Sequence, residues 1–372
     1  MRFSTENLRQ VFAEENKYEN FRYVASNLVR GNEIFERDEN GNEIRVTKRD
    51  ANRAIRNVFM DVCGLDEDSL KSRKTRERAE RLHNVEIFEI IEEDIEFKIN
   101  EGFQASEWFE QFVERKNLKL GDDNIFYIDR QINQYLVVGK YSGDHHDVTM
   151  QQLAGEESFT VSYGNHVVKI GKDIDLVILG RYDYDKLVTK IAEAFLKDIQ
   201  DAVFADTYAA ADKLPASMKK SGALSSATKA NFDELIENVE IANGTEVVIM
   251  GTKNALKKIT GLADVDWATV QQKEDIALNG RLGTYEGTTL MEIPQRLKIN
   301  SATFEKLIPN NKLLIMPVTT DKFIKLVDVG EVEIREVTNK GDLKDDFQTH
   351  EVCREYGHEI VLGQYFGEWT LE

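Results

Sequence analysis

A few groups of residues carry types and spacings that chemistry uses. Ser217 with Lys220, and Ser226 with Lys229, each match Ser-x-x-Lys. On a helix that spacing sets a serine hydroxyl one turn from a lysine amine, the arrangement of some hydrolases. No Ser-Asp-Asn or Lys-Thr-Gly partner accompanies them, and both pairs fall in a Ser- and Lys-rich stretch, so catalysis is not expected. His145, His146 and Asp147 are adjacent metal-ligand types, and His350, Cys353 and His358 form His-x2-Cys-x4-His. His350 and Glu351 also open a zincin-like pattern, but position 354 is Arg where a second His would be needed. Without a fourth ligand or that i, i+4 pair, these read as surface or core histidines. Gly280, Gly283 and Gly287 in GRLGTYEG lack the Gly-Lys-Ser/Thr ending of a phosphate loop and precede a strand, so a turn is expected. Cys63 and Cys353 are far apart and imply no disulfide framework. The expectation is a chain with no catalytic, cofactor-binding or metal residues, and not an enzyme.

Composition points the same way. With 372 residues, 41% of them hydrophobic, the chain can form one large domain or two or three smaller ones. A net charge of −19 speaks against nucleic-acid binding by the free chain, because duplex affinity comes mainly from Lys and Arg on phosphate. The start, MRFSTENLRQVFAEEN, has no apolar h-region, and the longest apolar runs are far too short to cross a bilayer, so a soluble protein made in a cytoplasm is expected.

The elements that must position any site centre on Tyr184 to Asp212. Leu187, Ile191, Phe195, Ile199, Ala202 and Val203 recur at three and four, one apolar stripe on a helix roughly 40 Å long. Asp183 or Asp185 can cap its first turn, and Pro215 follows its end. The stripe is expected against the chain's own closing strands, with Lys186, Lys190, Lys197, Asp198 and Asp201 largely off it.

Before it, Met1 to about Leu82 is dense in charge and reads as an arm. Basic Lys71 to Arg81 reads as a solvated helix and acidic Val85 to Glu96 as a half-buried strand. A sharper reading sets the basic run, with Arg73, Arg76 and Arg78, against an acidic run of another subunit. Ser106 to Arg115 reads as a short helix anchored by Trp108, Phe109 and Phe112. Ile125 to Val138 and Ser158 to Ile170 read as two strands of an extended hairpin around a polar tip.

A domain boundary is placed at Lys213 to Ser226. Beyond it, Ala227 to Ile241 reads as a helix buried through Phe232, Leu235, Ile236 and Val239 and stopped by Asn243 and Gly244. Strand Glu246 to Met250, helix Thr252 to Ile259, a looser segment Asp266 to Asn279, and strands Thr288 to Pro294 and Lys312 to Val318 complete an α/β unit, and the chain is strand-rich from Phe323 onward.

This order of parts resembles the tailed-bacteriophage major capsid proteins of the Hong Kong 97 type, whose fold encapsulins share. The stretch VKIGKDIDLVILGRYDY, Val168 to Tyr184, is similar to the family's passage from extended loop into spine helix. EVVIMGTKNALKKI, Glu246 to Ile259, resembles the strand and helix of the axial domain, and GTYEGTTLMEIP, Gly283 to Pro294, its glycine turn and following strand. Leu313 to Gly330 and Gly363 to Leu371 resemble the closing strands. The resemblance covers about Phe103 to the C-terminus.

It implies an α+β fold with an N-terminal arm over 1–102, a peripheral domain starting over 103–124, an extended loop over 125–170, the peripheral domain with spine helix over 171–213, an axial domain over 214–330 and closing strands over 331–372. It implies a structural protein of an icosahedral head, built of pentamers and hexamers, enclosing double-stranded DNA without sequence-specific binding. No cofactor and no membrane are involved. The partners it implies are further copies of the chain, with scaffolding, portal and decoration proteins; the location is the virion, assembled in the host bacterial cytoplasm. Some members lose a long N-terminal scaffolding region to proteolysis, and none is expected here. Some cross-link a loop Lys to an Asn; Lys140 and Lys169 lie in the candidate loop, but nothing singles them out. The alternatives are an encapsulin-type compartment shell and, from another class, a cytosolic hydrolase using Ser226 and Lys229.

Overall fold

The computed structural model describes residues 15–37, 43–119, 122–128, 157–170, 173–259, 283–298, 304–319, 321–337, 349–361 and 364–372. In chain order these form helix α1 (Glu15–Arg30), strands β1 (Ile34–Arg37) and β2 (Glu43–Val46), and helices α2 (Lys48–Val62), α3 (Arg73–Gln104) and α4 (Glu107–Phe112). Strands β3 (Val113–Leu118), β4 (Phe126–Ile128), β5 (Glu157–Phe159) and β6 (Gly164–Ile170) follow, then α5 (Asp173–Ile178) and the long α6 (Tyr184–Ala210). The remainder is β7 (Lys219–Ser221), α7 (Lys229–Asn243), β8 (Val247–Gly251), α8 (Lys253–Ile259), β9 (Thr284–Tyr285), β10 (Thr288–Glu292), β11 (Lys312–Pro317), β12 (Ile324–Val337), β13 (Thr349–Ile360) and β14 (Gly367–Thr370). The fold is mixed α+β. The chain divides into two compact units, one of Met1–Ala105, Gly164–Ile199 and Val329–Tyr356, the other of Ser106–Tyr163, Gln200–Asp328 and Gly357–Glu372.

In the first unit, helices bury narrow stripes. On α1 these are Phe21, Ala25, Leu28 and Val29; on α2, Ala51, Ile55 and Phe59. Phe59 bridges them, with ring centroids 6.3 Å from Phe21 and 5.6 Å from Tyr184. Thr47 starts α2 by accepting the Asp50 N–H at 3.3 Å while its hydroxyl donates to the Asp50 carboxylate at 2.5 Å, so each end of the pair satisfies the other. Phe88, Ile91, Ile95, Ile99 and Phe103 bury one face of α3. The stretch expected to be a half-buried strand, Val85 to Glu96, is therefore corrected to the middle of a 32-residue helix. The segment read as an arm carries three helices with buried side chains of their own.

The α6 stripe is as expected at Leu187, Ile191, Phe195, Ile199 and Val203, all buried; Ala202 is only half-buried. Its N-terminus is not capped as expected. The Tyr184 N–H donates to the Asn52 side-chain oxygen at 3.0 Å, and the Asn52 amide donates to Asp185 at 3.3 Å, so α2 supplies the cap. The Asp183 carboxylate instead meets Lys186 at 2.5 Å.

In the same unit β6 pairs antiparallel with β13, His350 opposite Ile170 through Tyr356 opposite Gly164. The expected second hairpin strand, Ser158 to Ile170, is thus two strands. Only its first part, β5, pairs with β4, in the register Phe126–Phe159, Tyr127–Ser158, Ile128–Glu157. The expected strand beyond Ile128, the hairpin tip and Asp266 to Asn279 lie outside the described residues.

The second unit is organised on a six-stranded sheet in the order β7-β14-β11-β8-β10-β9. Every residue of β8 is buried, as a strand flanked on both sides and covered on both faces should be. β10 runs parallel to β8 and β11 antiparallel. Helix α7 buries the expected Phe232, Leu235, Ile236 and Val239, and ends where Gly244 takes φ +65° and donates its N–H to Glu240. Phe232 packs edge-on to Trp369 at 5.3 Å and to Tyr285 at 5.6 Å, and the Trp369 indole N–H reaches the Gly222 carbonyl at 3.0 Å. The expected anchors of α4, Trp108, Phe109 and Phe112, are all buried in this unit, Trp108 against Phe204 at 4.5 Å.

Candidate functional site

The residues singled out for chemistry are dispersed. Lys220, in β7, is ion-paired to Glu234 at 2.7 Å, and Lys229, at the start of α7, to Glu286 at 2.5 Å. Ser217 lies in a short 3-10 turn, Ala216–Met218, before β7, so the Ser217–Lys220 spacing spans a turn and a strand and not one helical turn. Ser226 lies in the turn before α7.

His350, Cys353 and His358 all fall on β13. Alternation sends Cys353 to the opposite face from the two histidines, and eight residues of strand separate those two by roughly 26 Å. His350 lies edge-on to Phe88 at 5.3 Å, and His358 bonds Asp206 at 2.7 Å. Because His350 to Arg354 is strand, the zincin pattern has no helical face on which to form. Among the described residues no group of three His, Cys, Asp or Glu side chains is placed to hold a metal. His145, His146, Asp147 and Lys140 lie outside them. Cys63 is buried and Cys353 half-buried, and neither is in a disulfide. Lys169 pairs with Glu351 at 3.2 Å.

Glu286 and Gly287, at φ +47° and +92°, make the two-residue turn that joins β9 to β10. Positive φ at both positions matches the right-handed twist of a tight hairpin, so this glycine serves a turn. Gly280 lies outside the described residues.

Polar side chains instead brace the elements. In the first unit, Asp198 of α6 accepts from the Tyr356 hydroxyl and lies 3.1 Å from His166 Nδ1, while the His166 and Tyr356 rings stack at 3.7 Å. In the second, Asp206 of α6 holds His358. The α6 carboxylates Asp198 and Asp206 therefore face β13, while Lys186, Lys190 and Glu193 of the same helix are exposed. The reason is strand alternation: Tyr356 and His358 share one face of β13, and both can donate to carboxylates. Still in the first unit, Tyr184 donates to the buried Asp94 at 2.5 Å, and burial together with that carboxylate holds the phenol well above its ordinary range. Burial pushes the Glu92 carboxyl up to about 7, against the opposing pull of the Ile334 N–H, and Glu333, Glu89 and Glu331 add to the rise. In the second unit the buried Lys325 is enclosed by Glu114 and Asp321, and Arg115 pairs with Asp328.

Among the described residues, the second unit exposes Tyr127, Tyr163, Ile241, Leu297, Phe304, Val318 and Tyr365. Residues 295–298 and 304–308 run antiparallel, with Leu297 opposite Lys306. The Lys298 N–H donates to Glu305 and the Leu307 N–H to Arg296. Gln295 locks the two runs together, donating to the Ile308 carbonyl at 2.8 Å and accepting the Ile308 N–H at 3.1 Å. Phe304 is 81% exposed at the start of the second run. On α7, Ile241 is 65% exposed, with Val318 and Tyr365 also exposed. Sequence reading passed over the Leu297–Lys306 pairing.

The family described as "SPbeta prophage-derived putative capsid protein YonB" matches residues 26–370. None of the curated proteins matches the chain. Among solved structures it is similar to a virus-like particle protein from Pyrococcus furiosus, at 16% identity over 77% of this chain and 100% of that one, with a TM-score of 0.42. The mature capsid of bacteriophage PhiM1 is similar at 11% identity over 72% and 87%, with a TM-score of 0.47. The SrpI encapsulin of Synechococcus elongatus PCC 7942 is similar at 11% identity over 71% and 86%, with a TM-score of 0.39.

Proposed function

The chain belongs to the YonB family of SPbeta prophage-derived capsid proteins, and from that premise we propose that it is the major structural protein of a phage head. Copies self-assemble into pentamers and hexamers of an icosahedral shell with the Hong Kong 97-type subunit fold, and the shell encloses double-stranded DNA. The observation that carries this reading is the family match, which spans all but the ends of the chain.

The physical chemistry supports it. A net charge of −19 suits a wall that encloses DNA without adsorbing it, since a basic inner surface would hold phosphate through many Lys and Arg contacts. The exposed Phe304 and Ile241 supply contact area that shells can share among copies, and many modest interfaces sum to a stable particle.

In this reading α6 is the spine of the peripheral domain over 171–213, α7, α8 and strands β7 to β11 belong to the axial domain over 214–330, and 331–372 close the peripheral domain except at β14, which pairs between β7 and β11 in the axial sheet. Residues 103–124 begin that domain, the β4–β5 ribbon is the base of an extended loop over 125–170, and 1–102 is a largely helical arm. Its role is structural and not enzymatic. Its partners are copies of itself, with scaffolding, portal and decoration proteins, and its place is the virion, assembled in the host bacterial cytoplasm.

Size exclusion of the expressed chain followed by negative-stain imaging tests the proposal. Closed shells or ring-shaped capsomers are the expected result. A clean monomer with an activity lost in Ser226→Ala would replace the reading with the hydrolase one.

A further inference from the structure

In the first unit, the charges of α2 run against its own dipole. A helix favours acids near its N-terminus and bases near its C-terminus. Helix α2 instead opens with Lys48, Arg49 and Arg53, all exposed, and has no basic residue in its last turn. That end carries the exposed Asp61, and Asp66, Glu67 and Asp68, also exposed, follow it. Folding alone would favour the reverse order, and departures from local rules of this kind gather at functional positions.

The basic end of α2 is docked on the turn between α5 and α6. The Arg56 Nε donates to the Ile178 carbonyl at 2.9 Å, and its side chain lies against Gly180, where an added Cβ would come within 3.1 Å of it. Asn52 caps α6 through the Tyr184 N–H. Arg49, Arg53 and Arg56 stand at i, i+4 and i+7, so the first two continue along the side of α2 from which Arg56 reaches that turn. The turn adds the exposed Arg181, and the start of α6 adds the exposed Lys186 and Lys190, the latter over the Tyr182 ring at 5.6 Å. The nearby acids are engaged: Asp50 accepts from the Thr47 hydroxyl at 2.5 Å, Asp185 accepts from the Asn52 amide at 3.3 Å, and Asp183 pairs with Lys186 at 2.5 Å. Glu193, exposed beyond Lys190, is the acid that borders the cations on α6. The N-termini of α2 and α6 add their positive dipole ends to the same seam.

We propose that this seam, chiefly Arg49, Arg53 and Arg181, binds the phosphate backbone of duplex DNA without reading its sequence. Arginine forks match phosphate oxygens in pairs, and backbone contacts of this kind position a duplex and carry no base information. A protein partner fits the seam less well, because a protein contact needs an apolar centre. The exposed large apolar side chains described in this unit, Tyr23, Phe35 and Val167, lie on neither α2 nor α6. The net charge of −19 repels a duplex elsewhere, so a few cations per copy fix where DNA touches and leave the contact weak at physiological salt. This deepens the shell reading, which supplies the duplex, and rests on it.

The test titrates a labelled mixed-sequence duplex of about 20 base pairs with the unassembled full-length chain, reading fluorescence anisotropy between about 50 and 200 mM salt. Two forms that lose equal charge are compared with the unaltered chain. One carries Arg49→Gln, Arg53→Gln and Arg181→Gln, and the other, on α8, Lys253→Gln, Lys257→Gln and Lys258→Gln. All six side chains are exposed, so both forms keep the fold. The first is expected to bind at least about tenfold more weakly at the lower salt, with a log–log salt slope shallower by about 2 to 3, one contact for each arginine. The second is expected to bind like the unaltered chain. Equal losses in both forms would tie binding to net charge and overturn the seam, as would an unaltered chain that ignores the duplex at the lower salt. Sedimentation velocity follows assembly of each form in parallel. Unchanged duplex binding with assembly lost in the first form alone would hand the seam to a protein partner and overturn the proposal. An unaltered chain that binds the duplex but never leaves the monomer overturns the shell reading and not the seam.

Discussion

The apolar cluster under α7 in the second unit and the core of the helical unit are held by different chemistry, although elsewhere the second unit also buries ion pairs, at Lys325 with Asp321 and at Asp328 with Arg115. Around the six-stranded sheet, Phe232, Trp369, Tyr285, Ile249 and Leu313 form an apolar cluster whose polar atoms sit at its margin, the Trp369 indole N–H on the Gly222 carbonyl and the Tyr285 hydroxyl on the Asp233 carboxylate. The helical unit places acids among its apolar groups: Asp94 is buried against Tyr184, and Glu92 is held above the ordinary carboxylate range. An apolar cluster is indifferent to pH between 5 and 8, whereas buried acids link stability to protons. The α7 cluster and the helical unit should therefore respond differently to a change of pH, and hydrogen exchange read on peptides from each separates them.

The largest effect should come from breaking the spine in the helical unit. Phe195→Asp buries an unpaired carboxylate at a site only 1% exposed, and no soluble folded protein is expected on expression. Next is Phe232→Ala in the sheet unit, which should cost about 3–5 kcal/mol equally at pH 5.5 and pH 8, measured by denaturant unfolding. A loss confined to one of those pH values would show that the apolar core is coupled to titration after all. Gly357→Ala should lie close behind, because a Cβ there would sit 2.0 Å from the Ser162 carbonyl oxygen, and backbone cannot give way as a side-chain tip can. Asp94→Ala leaves the buried Tyr184 hydroxyl without its acceptor and should cost about 1–3 kcal/mol, against less than about 1.5 kcal/mol for Tyr184→Phe. Equal costs would mean that the Tyr184 hydroxyl finds another acceptor.

The smallest effect concerns Glu92. Its folded-state pKa, about 7, lies above the ordinary value of 4.5, so between those values the folded state holds a proton that the unfolded chain has released. That contribution is fully present below about 4.5 and is lost as pH rises through 7. Partial exposure screens it to the order of 1 kcal/mol. Protection of the helical unit should fall between pH 5.5 and pH 8, and Glu92→Gln should flatten that fall. An unchanged slope in the variant would assign the dependence to other acids.

The same contrast explains what the sequence made legible. Helix α7 was readable because Phe232, Leu235, Ile236 and Val239 are large and evenly spaced and Gly244 ends them, and the family resemblance read over the parts from Phe103 onward agrees with the family match. The α6 stripe was legible for the same reason, but its cap was not, since the capping group, Asn52, comes from a helix more than a hundred residues earlier. In Val85 to Glu96 apolar and acidic residues fit a period of two nearly as well as 3.6. Only Ile99 and Phe103, beyond the window, break the tie in favour of helix. Helices α1 and α2 bury Ala25 and Ala51 in stripes of three or four residues, too thin to stand out amid dense charge. The His350, Cys353 and His358 spacing suggested a cluster only while the strand was unknown. Strand alternation, invisible in a spacing rule, takes it apart.

The central claim is that this chain builds a closed shell. Cryogenic imaging of particles formed by the purified, unaltered chain tests it most directly. The account predicts closed particles whose surface averages resolve five- and six-fold rings of subunits. A uniform population of monomers or small open oligomers at every concentration and ionic strength tried would contradict it.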